Sequence, residues 1–421
     1  MLFRSHSVSR FEMTMPAQSP VPSDGSHGVD RLGDVFLSFL ILGLTAFGGP
    51  VAHIGYFRRT FVARKAWVTE AVFAELVAVA QALPGPASSQ VGFALGLQRA
   101  GLWGGLAAWL GFTLPSAVLM ILAARWEPFA VTTWLGAAVQ HGLHLCAVAI
   151  VAQAVLAMAR TLTPDLTRAA IALAGLTGAL LLPPGFGQIT ILVAGGLLGL
   201  GFCHALPAEI RDEQIPLAKG WTPWALGAFG LLFLPGGVVF SQMGGWVLFH
   251  RFYQTGALVF GGGHVVLPLL QGQVVAPGWV SPARFLSGYG AAQALPGPLF
   301  SFAAFLGASA PVDGGGWRGG VIALVAIFLP GLLLMAAAAP YWRKLQGGAR
   351  TRASLHGVNA SVVGLLAAAL YNPVWTTAIH SARDTGLALA AFLALVKYKA
   401  PPLAMVCAVV FASAVSAALA P

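Results

Sequence analysis

The sequence predicts an all-α polytopic membrane protein made of two homologous halves, an inverted repeat whose helices are broken and re-entrant. Three observations carry that prediction. The composition is too apolar for a soluble domain, a set of words recurs in order, and the Lys/Arg pattern changes sides between the copies. Of 421 residues, 57% are hydrophobic and 9% charged, with a mean hydropathy of +0.80. Soluble domains carry about a quarter charged residues, so no soluble domain of any size is expected. The net charge of +10 reads as basic loops on the cytoplasmic side of a bilayer, and no nucleic-acid partner is expected.

The repeat is written in short words. "QALPGP" at 81–86 returns at 293–298. "FGGP" at 47 pairs with "FGGG" at 260, "WVT" at 67 with "WVS" at 279, and "GLWGG" at 101 with "GGWRGG" at 315. "TLPS" at 113 pairs with "FLPG" at 328, and "HGL" at 141 with "HGV" at 356. The offset stays between 212 and 215, which chance would not maintain. The chain therefore divides into a polar tail at 1–31, a first repeat at 32–205, a polar linker with an extra transmembrane helix at 206–245, and a second repeat at 246–421. The tail lacks the apolar core of a signal peptide and is expected to be disordered.

Charge orients the copies. Arg58, Arg59, Arg64 and Lys65 follow the first FGG word, whereas the counterpart "QGQVVAPGW" has no charge. Conversely, Arg343, Lys344, Arg350 and Arg352 face a counterpart around Glu127 that holds Arg125. "KYK" at 397 faces the uncharged "PPGFG" at 183. A pattern that flips between copies is expected if the second sits upside down. The extra stretch at 221–240 supplies the crossing that inversion requires.

In chain order, 33–57 and 68–99 are expected as re-entrant pairs of half-helices, followed by crossings at 101–124, 130–158, 169–182, 187–205 and 221–240. The second half repeats the scheme with pairs at 246–270 and 281–310 and crossings at 316–340, 355–371, 385–396 and 400–420. Each pair has a Gly/Pro break near its middle. An arm such as 68–83 is about 24 Å long at 1.5 Å per residue, enough to reach deep into a hydrocarbon core of about 30 Å without crossing it. One full crossing per FGG segment is the alternative. On this topology Arg125, Arg251, Arg284, Arg318 and Arg383 lie outside and the other Lys/Arg inside.

Broken backbone inside a bilayer leaves amide groups without partners and survives only where protein or a water-filled cavity covers it. In inverted-repeat transporters such breaks line the substrate site, and half-helix N-termini point at anions. "LPGPASSQ" suits that role. Pro84 and Gly85 stop one arm, and Pro86 suits the first turn of the next, where its missing N–H is harmless. Ser88, Ser89 and Gln90 then sit beside N–H groups carrying partial positive charge. Pro296, Gly297, Pro298 and Ser301 repeat the arrangement, and Gly48, Gly49, Gly261 and Gly262 supply the paired FGG breaks. Thr69 and Ser281 are expected N-caps. A kink in a packed helix is the plain structural reading of one such break; two copies at equivalent positions favour a substrate site.

At these residues the chain resembles the chromate transporter family in its long-chain, two-domain form. "FGGPVAHIGYFRRTFVARKAW", "LPGPASSQVGFALGLQRAG", "FGGGHVVLPLL" and "GYGAAQALPGPLFSF" carry the resemblance. It implies an inner-membrane, multi-pass efflux protein that lowers cytoplasmic chromate, confers chromate resistance and is driven by the proton gradient. Sulfate, a dianion of the same shape, is the natural competitor. The chain departs from the family pattern where Thr60, Gln271 and Gln273 stand at positions that often carry Glu, which bears on proton coupling.

Other residues admit a functional and a plainer reading. Arg251 could draw a dianion or snorkel to the interface. Arg58 and Arg59 could form an electrostatic vestibule or act as positive-inside anchors. Glu75, an acid inside a re-entrant arm, is a proton-carrier candidate whose repeat partner is Ser287. His53 and His264 could titrate near neutrality, although a satisfied interior histidine is the commoner case. His141, His144 and Cys146 have metal-like spacing, but no carboxylate lies nearby in sequence, so no metal site is expected. Three isolated cysteines without a CxxC exclude a disulfide framework. No nucleophile triad, Walker motif or dinucleotide fingerprint appears, so neither enzyme nor cofactor is expected. The function classes left are a chromate transporter, the same scaffold moving sulfate or a lipid headgroup, and a non-transporting sensor or structural subunit. The oligomeric state stays open between monomer and homodimer.

Overall fold

The computed structural model describes residues 28–183, 186–204, 220, 222–234, 245–342 and 348–419. Most of the tail, most of the polar linker, residues 235–240 of the extra crossing, and Arg343 and Lys344 lie outside the described residues. Within them the regular structure is helical, and four helices are long and apolar enough to cross a membrane.

The first half runs α1 (Gly28–Thr45), α2 (Gly49–Phe57), α3 (Glu70–Ala82), α4 (Ala87–Ala130), α5 (Trp134–Leu162), α6 (Leu166–Leu181) and α7 (Phe186–Phe202). After α8 (Thr222–Phe233), the second half runs α9 (Trp246–Leu258), α10 (Val266–Leu270), α11 (Pro282–Ala294), α12 (Phe302–Ser309), α13 (Gly316–Ala338), α14 (Ala349–Ala369), α15 (Ala382–Lys397) and α16 (Pro402–Ala418). Helix α1 begins inside the stretch expected to be tail. Both FGG segments lead into a wide π-helical turn, at Arg58–Arg64 and Gln271–Val275. Thr69 and Ser281 cap their arms, accepting the N–H groups of Val72 and Arg284. That satisfies a donor the helix itself leaves free.

Each expected pair is two helices with a break between them: α1 and α2, α3 and the start of α4, α9 and α10, and α11 and α12. Helix α4 is interrupted by non-helical backbone at Ala100 and Gly101, so 87–100 and 101–130 are separate rods. They pack with almost no side chain between them: a Cβ on Gly96 would lie 2.3 Å from the Gly104 carbonyl oxygen. The second copy does the same, with a Cβ on Gly307 falling 2.3 Å from the Gly319 oxygen. Small residues that let backbones approach are the usual basis of helix association in lipid, where burial of apolar surface supplies little drive.

The two halves are interleaved. Helices α6 and α7 of the first half pack on α14 of the second, and α15 and α16 pack on α5 of the first. Glycine again sets the approach: Gly199 meets Gly357 across one seam and Gly142 meets Val410 across the other. Each half thus completes the other's core.

Candidate functional site

The four breaks meet, and they meet crosswise. The Gly85 N–H donates to the Val259 carbonyl at 2.8 Å, and the Gly297 N–H donates to the Ala46 carbonyl at 3.0 Å. Each LPGP break is therefore tied to the other half's FGG break, and positions 46/259 and 85/297 are repeat equivalents. A Cβ on Gly263 would touch Pro50 at 3.4 Å, which brings a third equivalent pair face to face near the pseudo-twofold axis. The helix kinks join in: a Cβ on Gly85 would lie 2.9 Å from Gly331 Cα, and one on Gly297 2.9 Å from Ser116 Oγ.

Backbone geometry explains the glycines. Gly48, Gly49, Gly85, Gly261, Gly262 and Gly297 all have φ between 76° and 134°, a region that L side chains avoid. Their surroundings differ. Around Gly49 and Gly262 a Cβ would meet nothing within 4 Å, so these two border open space. Gly85 and Gly297 are packed against the opposite half. A bulky side chain there would collide with protein, which corrects the expectation that both LPGP glycines face the ion directly.

Chemistry breaks the symmetry that the backbone keeps. Pro86 and Pro298 correspond, after which Ala87, Ser88, Ser89 and Gln90 stand opposite Leu299, Phe300, Ser301 and Phe302. In the first half α4 starts at Ala87, leaving its first N–H groups without intrahelical partners. In its first turn Ser88, Ser89 and Gln90 are all at most 3% exposed, as is Thr113 in the second rod of α4. Ser89 Oγ, Thr113 Oγ1 and Gln90 Oε1 have no hydrogen-bond partner among the described residues. Buried hydroxyls are normally paired, so the Ser89 O–H, in the first turn of α4, is a donor left available to a ligand. His53 closes the group: its Nδ1 is 3.4 Å from Ser88 Oγ, and its ring stands edge-on to Phe112 at 5.1 Å. The Ala46 carbonyl lies beside the same ring.

The second half offers less. Leu299–Ser301 is a tight 3-10 turn, and Ser301 Oγ donates to the Pro298 carbonyl at 2.8 Å. Pro296, Gly297 and Pro298 shape this wall, with Phe300 and Leu299 in place of polar groups. Gln90 also acts differently than expected. Its Nε2 donates to the carbonyls of Pro84 and Gly331, both at 3.0 Å, so it latches the first break to the second half.

The charged and titratable candidates are held by other partners. The Arg251 guanidinium lies over the Trp279 ring at 4.5 Å and donates to the Gln273 carbonyl at 2.9 Å. It is about two helical turns from the end of α9, or about 10 Å at 1.5 Å per residue. Arg58 pairs with Glu70 at 2.6 Å on the exposed surface, and Arg59 lies over Tyr56 at 5.9 Å. Glu75 accepts the indole N–H of Trp342 at 3.1 Å, and His264 shares a 2.8 Å hydrogen bond with the Tyr289 hydroxyl. One sequence reading is corrected outright. A carboxylate does lie beside His141, since Asp384 Oδ1 is 2.8 Å from its Nε2, brought there from 243 residues away. Among the described residues no group of three or more His, Cys, Asp or Glu is placed to hold a metal. Thr113, buried with an unpartnered hydroxyl among the described residues, is a polar residue that the sequence reading did not single out. It belongs to the repeated "TLPS"/"FLPG" word.

The family model described as chromate transporter matches residues 33–200 and 246–415, one match per repeat. A chromate transport protein of Pseudomonas aeruginosa is 32% identical over 82% of this chain and 81% of its own length. A chromate transport protein of Cupriavidus metallidurans is 30% identical over 80% of this chain and 82% of its own. A probable chromate transport protein of Synechococcus elongatus is 29% identical over 79% and 82%. No solved structure matches the chain.

Proposed function

The chain belongs to the chromate transporter family, and on that premise we propose that it exports chromate from the cytoplasm across the inner membrane in exchange for protons, conferring chromate resistance. The observation that carries the reading is the buried hydroxyl of Ser89 in the first turn of α4, which has no hydrogen-bond partner among the described residues. A tetrahedral dianion offers acceptor oxygens on all sides, and the site offers donors of the matching kind: O–H groups, the first N–H groups of α4 and the Ser88 hydroxyl. A helix end contributes about half a positive charge, and the repeat-equivalent position in the other half is a 3-10 turn at Leu299–Ser301. A site of neutral donors attracts a dianion and can still release it, which a cycle needs.

The crosswise bonds support alternating access. Because each break is tied to the opposite half, a shift of one half against the other moves both walls of the site together. Gly49 and Gly262 border the open space, so the ion would run past backbone there. Proton-carrier candidates on this reading include Glu75, His53 and His264, and the Arg58/Arg59 surface forms the cytoplasmic approach. The test is chromate uptake into inside-out vesicles bearing the purified protein, with an acid-inside pH gradient and sulfate as competitor. Accumulation blocked by dissipating the gradient supports the reading, and absence of chromate movement overturns it. Sulfate uptake exceeding chromate uptake would reassign the substrate on the same site.

A further inference from the structure

The "HGL"/"HGV" repeat places a histidine at equivalent points of α5 and α14, and neither belongs to the anion site. The structure puts His141 beside an aspartate from the other half, at the start of a helix, and sets His356 within electrostatic range of another. His356 of the second half lies near Asp165 and Arg168 of the first. There Asp165 caps α6 and pairs with Arg168 at 2.6 Å. The Arg168 backbone N–H and guanidinium hold the Asp165 carboxyl below the usual carboxylate range. A permanent cation thus occupies this copy.

The other copy is built differently. Asp384 sits in the first turn of α15, capped by Ser381, and its Oδ1 meets His141 Nε2 at 2.8 Å. Its Oδ2 accepts the His380 backbone N–H at 3.0 Å. The carboxylate is largely buried while His141 keeps a third of its side chain open. So here the partner of the aspartate is an imidazole partly open at the protein surface. His141 also leads inward. One turn along α5, His144 Nε2 is 3.0 Å from Ser287 Oγ and 2.8 Å from the Ala283 carbonyl. Both lie on α11, the arm that ends at the second LPGP break, and Ser287 is the repeat counterpart of Glu75.

We propose that the His141–Asp384 pair, closed between the two halves, is the site that takes up the counter-transported proton. This rests on the proton-coupled reading above. An incoming proton converts the His141 imidazole to an imidazolium paired with the Asp384 carboxylate. Its release on the other side of the cycle returns the neutral ring, so one proton enters and one leaves. The Lys/Arg topology places Arg125, Arg284 and Arg383 outside, and the pair lies among these residues, on the side from which protons would enter an exporter. Protonation tightens a contact between α5 of one half and α15 of the other, and so biases how the halves sit.

Other groups around the pair contribute to its field. They are His380 stacked 6.5 Å from His141, His144 on α5, Arg383 on α15, and the Arg284–Glu127 pair at 3.2 Å, whose Glu127 also accepts from Gln140 on α5. Cys146 on α5 and Cys407 on α16 complete the titratable set.

The experiment compares two assays in inside-out vesicles: gradient-driven chromate accumulation, and chromate–chromate exchange without a gradient. Asp384→Asn and His141→Arg should lose accumulation and keep exchange. His141→Arg supplies Asp384 with a permanent cation, as Arg168 does for Asp165, and so keeps the pair while removing its titration; it carries the test if Asp384→Asn does not fold. His356→Gln should behave as wild type in both assays. Accumulation with wild-type pH dependence in both Asp384→Asn and His141→Arg overturns the proposal. Loss of exchange as well as accumulation in both, with protein present in the membrane, also overturns it, because the pair would then be a structural clamp. If wild type exchanges chromate but ignores the gradient, the proton site is refuted and the transporter reading stands. If wild type moves no chromate at all, the transporter reading fails and this proposal falls with it.

Discussion

Ser89 and Ser301 are repeat equivalents, nearly equally buried at 1% and 2% exposure, and they should respond differently to the same change. Ser301 Oγ is already bonded to the Pro298 carbonyl, whereas Ser89 Oγ has no partner among the described residues. If chromate accepts from Ser89, Ser89→Ala removes a hydrogen bond to a charged group. That is worth about 1.5–3 kcal/mol, which converts to roughly a 10- to 150-fold loss of affinity at 1.4 kcal/mol per tenfold. Ser301→Ala removes a bond local to one turn, about 1 kcal/mol of stability, with chromate affinity unchanged. The assay is the concentration dependence of chromate uptake in vesicles, with membrane abundance of each variant measured alongside. Equal effects of the two substitutions on affinity, or none from Ser89→Ala, would refute the assignment of the anion to the first half.

Gly85→Leu should destabilise the protein, not merely block it, because the new side chain would strike Gly331 2.9 Å from its Cβ and force a residue at φ 123°. The backbone strain alone is of order 1–3 kcal/mol, and a lowered unfolding midpoint in detergent is the readout. Arg251→Gln should lower thermal stability by about 1–2 kcal/mol through loss of the Trp279 contact and leave the apparent affinity for chromate as in wild type; a weakened affinity would return Arg251 to the site. Single cysteines at Thr60 and Gln273 in a Cys-less background should label from opposite faces of the membrane. Labelling from one face would refute the inversion of the halves.

Much of this molecule could be read from its one-dimensional pattern. Apolar composition dictates helices in a bilayer, because backbone groups must be satisfied within the segment. Gly and Pro mark where helices stop, so the breaks at 46–48, 83–86, 259–262 and 295–298 were legible, as were the caps at Thr69 and Ser281. The repeat was legible because equivalent backbone turns need the same few residues. Tertiary structure decided what depends on which distant atoms meet. Gln90 reads as an anion ligand beside its serines, yet its amide is committed to Gly331, 241 residues away. Arg251 reads as a charge near a break, yet a helix carries it about 10 Å off and Trp279 holds it. Ser89 and Ser301 read as twins, and only their neighbours show that one hydroxyl is occupied and the other free. His141 reads as a histidine without a carboxylate until the interleaving of the halves sets Asp384 against it. Local sequence determines where the chain must break, since φ and hydrogen bonding are local constraints; the partner of each polar atom is a property of the packed halves.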